Sequence, residues 1–267
     1  MNWLTSILYG IVSGFAEILP ISSSAHQILM QKLFGAESGG LQNLLVHTAI
    51  LAVLLYCMRP VIDVMNIQTD QTRRKKRRSP DLRLVRTAAV PLILGFLLFR
   101  FTSGLGNNLI YLTLLFLANG IILYIPSRML SGNKDAKAMS GWDALLIGLC
   151  GALGMAPGIS RVGTSLFAAT ARGADRQNAL NWVLLLCIPA LILVILLDIL
   201  AIIAGGFGVG SAVEVFKCIF SVLGAGCGSY FGIMLMRFLA VKVGFTGFAY
   251  YSWGAALFSF VMYLVVV

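Results

Sequence analysis

Glu17, Pro20, Ser22, Ser23, Ser24 and His26 all fall within the ten residues EILPISSSAH. A hydroxyl beside an imidazole is the smallest set that makes an activated nucleophile, or a base that drives water. Ser23 and His26 are three apart, so they share a face of a helix running toward Phe34. Pro20 interrupts the helix before them, and Ser22, Ser23 or Ser24 can cap the next one. Its N-terminus offers free N–H groups and a positive dipole end, which suits an anion such as phosphate. Glu17 could bind a divalent cation or hold the histidine. Capping accounts for the serines, but not for a glutamate and a histidine in so apolar a chain.

A second cluster, PGISRVGTS, spans Pro157 to Ser165. Arg161 in an apolar turn needs an anionic partner, and its fork fits phosphate bidentately. Gly158 allows close backbone approach, while Ser160, Thr164 and Ser165 add hydroxyls. Arg172 and Arg176 are better placed to reach the membrane surface. Together the two clusters describe a phosphate site at membrane depth, and a ligand there suggests a lipid phosphate.

The rest of the chain is built to hold these clusters in a bilayer. Of 267 residues, 59% are hydrophobic and 11% charged, too few charges to cover a soluble domain. Candidate spans run over Leu41–Met58, Leu84–Phe101, Leu109–Ile125, Asn181–Ala204, Val215–Leu239 and Gly247–Val267. Each is close to the roughly 20 apolar residues that cross a bilayer core. No cleavable signal peptide is evident. The five cysteines show no CxxC spacing and read as packing residues. The net charge of +10 is concentrated in one loop, with the run RRKKRR at Arg73–Arg78, and argues for topology rather than nucleic acid. Loop 59–83 is then cytoplasmic and both termini lie on the outer side.

Residues 3–35 and 142–173 are apolar but split by a proline and a polar cluster. They also resemble each other: a glycine stands six residues before Pro20 and before Pro157, and Ile-Ser follows each. Three spans follow each broken segment, so the second copy is inverted relative to the first. The expected fold is therefore all-α and integral to the membrane. Six transmembrane helices join two re-entrant helix–turn–helix hairpins in inverted repeats, 1–130 and 131–267.

These residues resemble the bacitracin-resistance undecaprenyl-diphosphate phosphatases of bacteria. The resemblance covers nearly the whole chain and includes ExLPxSSxxH (Glu17, Pro20, Ser22, Ser23, His26) and PGxSR (Pro157, Gly158, Ser160, Arg161), with Pro189 and Asp198 in expected places. It implies hydrolysis of undecaprenyl diphosphate to the monophosphate, often with Mg²⁺ or Ca²⁺, in a homodimer of the inner membrane. By position, Arg161 would clamp the diphosphate, Ser23 or His26 would be nucleophile or base, and Glu17 would serve the metal or the proton transfer. Three positions depart from the family pattern: Ser13, Val162 and Asn181 replace polar or acidic residues, which should reduce divalent-cation affinity and slow hydrolysis. The alternative reading is a polyprenyl-phosphate carrier or flippase using the same pocket without hydrolysis.

Three further features read as packing. Gly224, Gly228 and Gly232 form a close helix–helix face, within or between subunits. His47 reads as a hydrogen-bonded packing residue with no motif partner. Asp198 reads as solvated or capping, near the end of its span.

Overall fold

The computed structural model describes residues 2–35, 38–68, 82–99, 108–129, 132–134, 138–205, 212–242 and 244–266. The basic run Arg73–Arg78 lies outside the described residues, as does most of the Thr102–Asn108 turn. Among the described residues the regular elements are ten α-helices. They are α1 (Trp3–Ile18), α2 (Ser23–Phe34), α3 (Gly40–Gln68), α4 (Leu82–Phe99), α5 (Leu109–Arg128), α6 (Gly141–Leu153), α7 (Arg161–Ala171), α8 (Arg176–Gly205), α9 (Ala212–Lys242) and α10 (Thr246–Val266).

Five of these are long and apolar enough to cross a membrane: α3, α5, α8, α9 and α10. The span expected over Leu84–Phe101 forms α4, with residues 100 and 101 outside the described set. By contrast α1, α2, α6 and α7 have 16, 12, 13 and 11 residues. At 1.5 Å per residue each rises about 24 Å or less, short of the roughly 30 Å of a bilayer core.

Prolines do not break helices by themselves here. Pro60, Pro91, Pro126 and Pro189 sit inside continuous helices. Pro20 and Pro157 differ because serines and glycines follow them and offer the freed backbone other partners. Leu19, directly before Pro20, is extended with ψ 155°, as the proline ring demands.

Apolar side chains cannot drive helix association in lipid, so close packing of small residues does. Along α1 and α9 the contact is backbone to backbone. A Cβ on Gly224 would stand 2.6 Å from the Ile7 carbonyl oxygen, and one on Gly228 would stand 2.5 Å from that of Ile11. The GxxxGxxxG face thus packs within the chain. A similar seam joins α4 to α6, where Gly148 faces Ala88 and Pro91, and Gly95 faces Ala152. Helices α3 and α8 pack on each other at the centre, and α5 pairs with α10. The main core gathers Ile50, Leu54, Leu92, Ile147, Trp182 and Leu184, all fully buried. A smaller cluster of Ala25, Leu29, Leu112, Phe116 and Ala256 seats α2 against α5 and α10. Leu196, Leu200 and Ile203 of α8 and Phe216, Ile219 and Leu223 of α9 remain exposed, an apolar surface suited to lipid.

Candidate active site

The two helix breaks meet. After α1 the chain turns tightly, with Ile21 N–H donating to the Leu19 carbonyl at 2.8 Å. Ser22 follows with φ 69°, the one non-glycine residue at positive φ among the described residues. Such strain persists only where surrounding contacts enforce it, and it clusters at functional sites. Here the contacts come from the other break. Gly158 N–H donates to Ser22 Oγ at 3.0 Å, so Ser22 does not cap its own helix. Gly158 has φ 107°, and a Cβ there would lie 2.5 Å from Leu115 Cβ.

The second break is more conventional. Ser160 caps α7, accepting from Gly163 N–H at 3.2 Å. Its own N–H donates to Asn119 Oδ1 at 2.9 Å. The Asn119 amide in turn donates to the Pro20 carbonyl at 3.1 Å and to Ser252 Oγ at 2.9 Å. This fully buried asparagine on α5 is therefore a strut tying both breaks to α10.

Between the breaks lies a cavity of about 290 Å³, near the lower end of ligand pockets. Glu17, Ser22, Ser23, Ser24, Ser160 and Arg161 line it, joined by Gln27 and His47. Arg161 Nη2 donates to Glu17 Oε2 at 2.8 Å, and Ser23 Oγ donates to Glu17 Oε1 at 2.9 Å. Both ion-pair side chains are about nine-tenths buried, with 10% and 9% exposure. Arg161 Nε is buried without a partner. A buried guanidinium N–H left unbonded is costly, and an anion in the cavity would satisfy it.

The remaining expected residues go elsewhere. His26 Nδ1 lies 2.8 Å from the Ser22 carbonyl, which can only accept, so that nitrogen carries the proton. Nε2 lies 2.7 Å from the Tyr251 hydroxyl, and the ring stacks on Tyr251 and meets Phe116 edge-on. His26 therefore faces α5 and α10 and is absent from the cavity wall that Ser23 lines. Thr164 donates to the carbonyls of Ser160 and Arg161, and Ser165 turns to the Ile147 carbonyl, so both hydroxyls brace the second hairpin. Gly158 contributes its backbone to the junction. Of the departures, Ser13 is fully buried and accepts from Gln27 Nε2 at 3.4 Å, while Val162 is an apolar part of the wall.

His47 is buried and hydrogen-bonded, as expected, but its partner Asp198 is bonded to it rather than solvated or capping. His47 Nδ1 lies 2.7 Å from Asp198 Oδ2, with 10% and 19% of the two side chains exposed. The pair bridges α3 and α8, and His47 faces the cavity. Asn119 and this pair are what sequence reasoning missed; the available signal was a polar residue alone in an apolar span.

The cavity wall offers a divalent cation one carboxylate, Glu17, whose oxygens accept from Ser23 and Arg161. Among the described residues no group of three His, Cys, Asp or Glu side chains could hold a metal ion.

Fold and site define a class: an all-helical, multi-pass membrane protein with a buried arginine and a hydroxyl facing an anion-sized cavity between two helix breaks. The chain belongs to the bacitracin resistance protein BacA family, whose sequence profile matches residues 6–258. It is 31% identical over 260 residues to an undecaprenyl-diphosphatase of Carboxydothermus hydrogenoformans, covering 95% of this chain and 94% of the relative. It is 30% identical over 269 residues to undecaprenyl-diphosphatase 1 of Shouchella clausii, covering 98% and 96%. An undecaprenyl-diphosphatase of Halothermothrix orenii is 28% identical over 250 residues.

Proposed function

We propose that this chain hydrolyses undecaprenyl diphosphate to undecaprenyl phosphate and inorganic phosphate, recycling a cell-wall lipid carrier in the bacterial inner membrane. The observation that carries the reading is Arg161, buried with Nε unpartnered beside a serine hydroxyl already bonded to a carboxylate. The diphosphate draws the Arg161 donors away from Glu17. Glu17 Oε1 already accepts the Ser23 hydroxyl, so it is placed to take the Ser23 proton. Ser23 Oγ then bonds to the terminal phosphorus, the bridging P–O bond breaks, and undecaprenyl phosphate leaves with the bridging oxygen. The guanidinium and the N–H groups at the start of α2 neutralise the developing charge. A Mg²⁺ or Ca²⁺ ion would arrive with the diphosphate and supply further charge neutralisation.

We read the two broken segments as re-entrant hairpins of inverted repeats 1–130 and 131–267. The pairing of helices supports this. Exchanging α1–α5 for α6–α10 turns the α1–α9 seam into α6–α4, and maps α3–α8 and α5–α10 onto themselves. The concentration of Lys and Arg in 59–83 supports a cytoplasmic loop there, with both termini outside. A homodimer is kept as a proposal, to be tested by the mass of the detergent-solubilised protein.

The test is phosphate release from C55 or C15 polyprenyl diphosphate by purified protein. Release should fall by about 10²-fold or more in Ser23→Ala, the scale of losing a positioned nucleophile or proton acceptor. Tight diphosphate binding without any phosphate release by the unmodified protein would sink the enzyme reading and favour a carrier.

A further inference from the structure

His47 and Asp198 carry an inference that rests on the phosphatase reading and deepens it. Three observations single out this pair. First, it is the imidazole that faces the cavity: among the described residues the wall includes His47 but not His26, both of whose ring nitrogens are engaged by Ser22 and Tyr251. Second, Asp198 takes the Nδ1 side of His47, and among the described residues no protein group meets Nε2. A ring held at Nδ1 by a carboxylate has a fixed tautomer, and its Nε2 is left as an available base. Third, the pair is more than a strut requires. A tie between helices needs no charge: Gln42 Nε2 joins α3 to α9 through Ser221 Oγ at 2.6 Å with neutral groups. Ionisable side chains in an apolar span are retained where they act.

Ser23 and Glu17 account for the first half of a hydrolysis, which leaves a phosphoserine and a protonated Glu17. The second half needs a base for water, and Glu17 is no longer one. We propose that His47, oriented by Asp198, accepts the proton of the water that hydrolyses the Ser23 phosphate. Water oxygen bonds to phosphorus and the Ser23 Oγ–P bond breaks. One water proton passes to His47 Nε2, the other stays on the departing inorganic phosphate, and Glu17 returns its proton to Ser23 Oγ. His47 then loses its proton to bulk water, and Asp198 serves as the positioning residue that stabilises the imidazolium meanwhile.

The experiment uses the full chain in detergent with farnesyl diphosphate labelled in the terminal phosphate, following both inorganic phosphate and label retained on protein. The unmodified protein should turn over with little retained label. His47→Gln should release one equivalent of farnesyl phosphate per protein, retain label on Ser23, and slow phosphate release by about 10²–10⁴-fold, the usual contribution of a positioned base. Added imidazole should restore release in His47→Gly, which a merely structural histidine would not allow. Asp198→Asn, which keeps the size of the side chain, should retain label with a smaller loss. Phosphate release within twofold of the parent in both His47→Gln and Asp198→Asn would overturn the inference and leave the phosphatase standing. Slow release with no label on the protein would overturn it as well. No release by the parent would overturn both.

Discussion

The two helix breaks are built from similar residues and stabilised in opposite ways. The second is braced throughout: Ser160 caps its own helix, Asn119 holds the Ser160 amide, and Thr164 and Ser165 are tied into backbone. Its base is clasped too. Asp143 closes a capping box with Ser140 and pairs with Arg172 and Lys134. The first break is held instead at carbonyls, Pro20 by Asn119 and Ser22 by His26. Ser22 is at positive φ, gives no cap to α2, and its hydroxyl depends on the Gly158 N–H. The second hairpin is thus a rigid mount for one guanidinium, while the first carries the Ser23 hydroxyl and the Glu17 carboxylate against it. The lesson is that ionisable and hydroxyl groups can sit on a strained turn provided that a stiffer turn holds it in place.

That contrast can be broken most severely at Arg161. Arg161→Ala leaves Glu17 buried without its counter-ion and, on the phosphatase reading, removes the anion clamp. It should abolish phosphate release and cost about 3–5 kcal/mol, read from release and thermal denaturation. Glu17→Gln in that background should recover stability but not release. A less severe test sets Gly158→Ala against Ser22→Gly. The first forces a Cβ into Leu115 at φ 107° and should cost about 1–3 kcal/mol. The second relieves the turn while losing one hydrogen bond, so chemical denaturation should show a change within about 1 kcal/mol. Equal losses in the two would refute the idea that strain is concentrated in the first break. Asn119→Ala strands the Ser160 amide and should cost about 1–3 kcal/mol. Smallest is Lys134→Ala at the base of the second hairpin, where the partner lysine is partly exposed. Its loss should lower stability by about 1 kcal/mol or less, with phosphate release unchanged.

Much of this arrangement could be read from the chain before its fold. Pro20 and Pro157 could be told from Pro60 and Pro189 because polar residues follow only the first two. Arg161 with Glu17 and Ser23 was legible for the same reason, since each is an ionisable or hydroxyl group beside a break. His26 was misdirected by geometry. Three residues advance a helix about 300°, so Ser23 and His26 point some 60° apart, and the His26 ring is drawn to Tyr251 and Phe116 instead. Thr164 and Ser165 met the same limit one turn further along α7. Asn119, His47 and Asp198 were hidden differently. Each is a single polar residue in an apolar run, and its role depends on a partner more than 40 residues away that no local pattern names.

The glycine seam between α1 and α9 bears on how the sequence can change. Gly224, Gly228 and Gly232 recur every four residues, and α1 rests on the stripe they make. Substitutions on the lipid side of α9 leave that stripe untouched. Inserting or deleting one residue between the glycines would instead rotate one part of the stripe about 100° away from α1. Large side chains would then meet backbone carbonyls, and α1 with Glu17 would be pushed off its bearing. The lipid-facing positions of α9 can therefore change while the spacing of its glycines stays fixed.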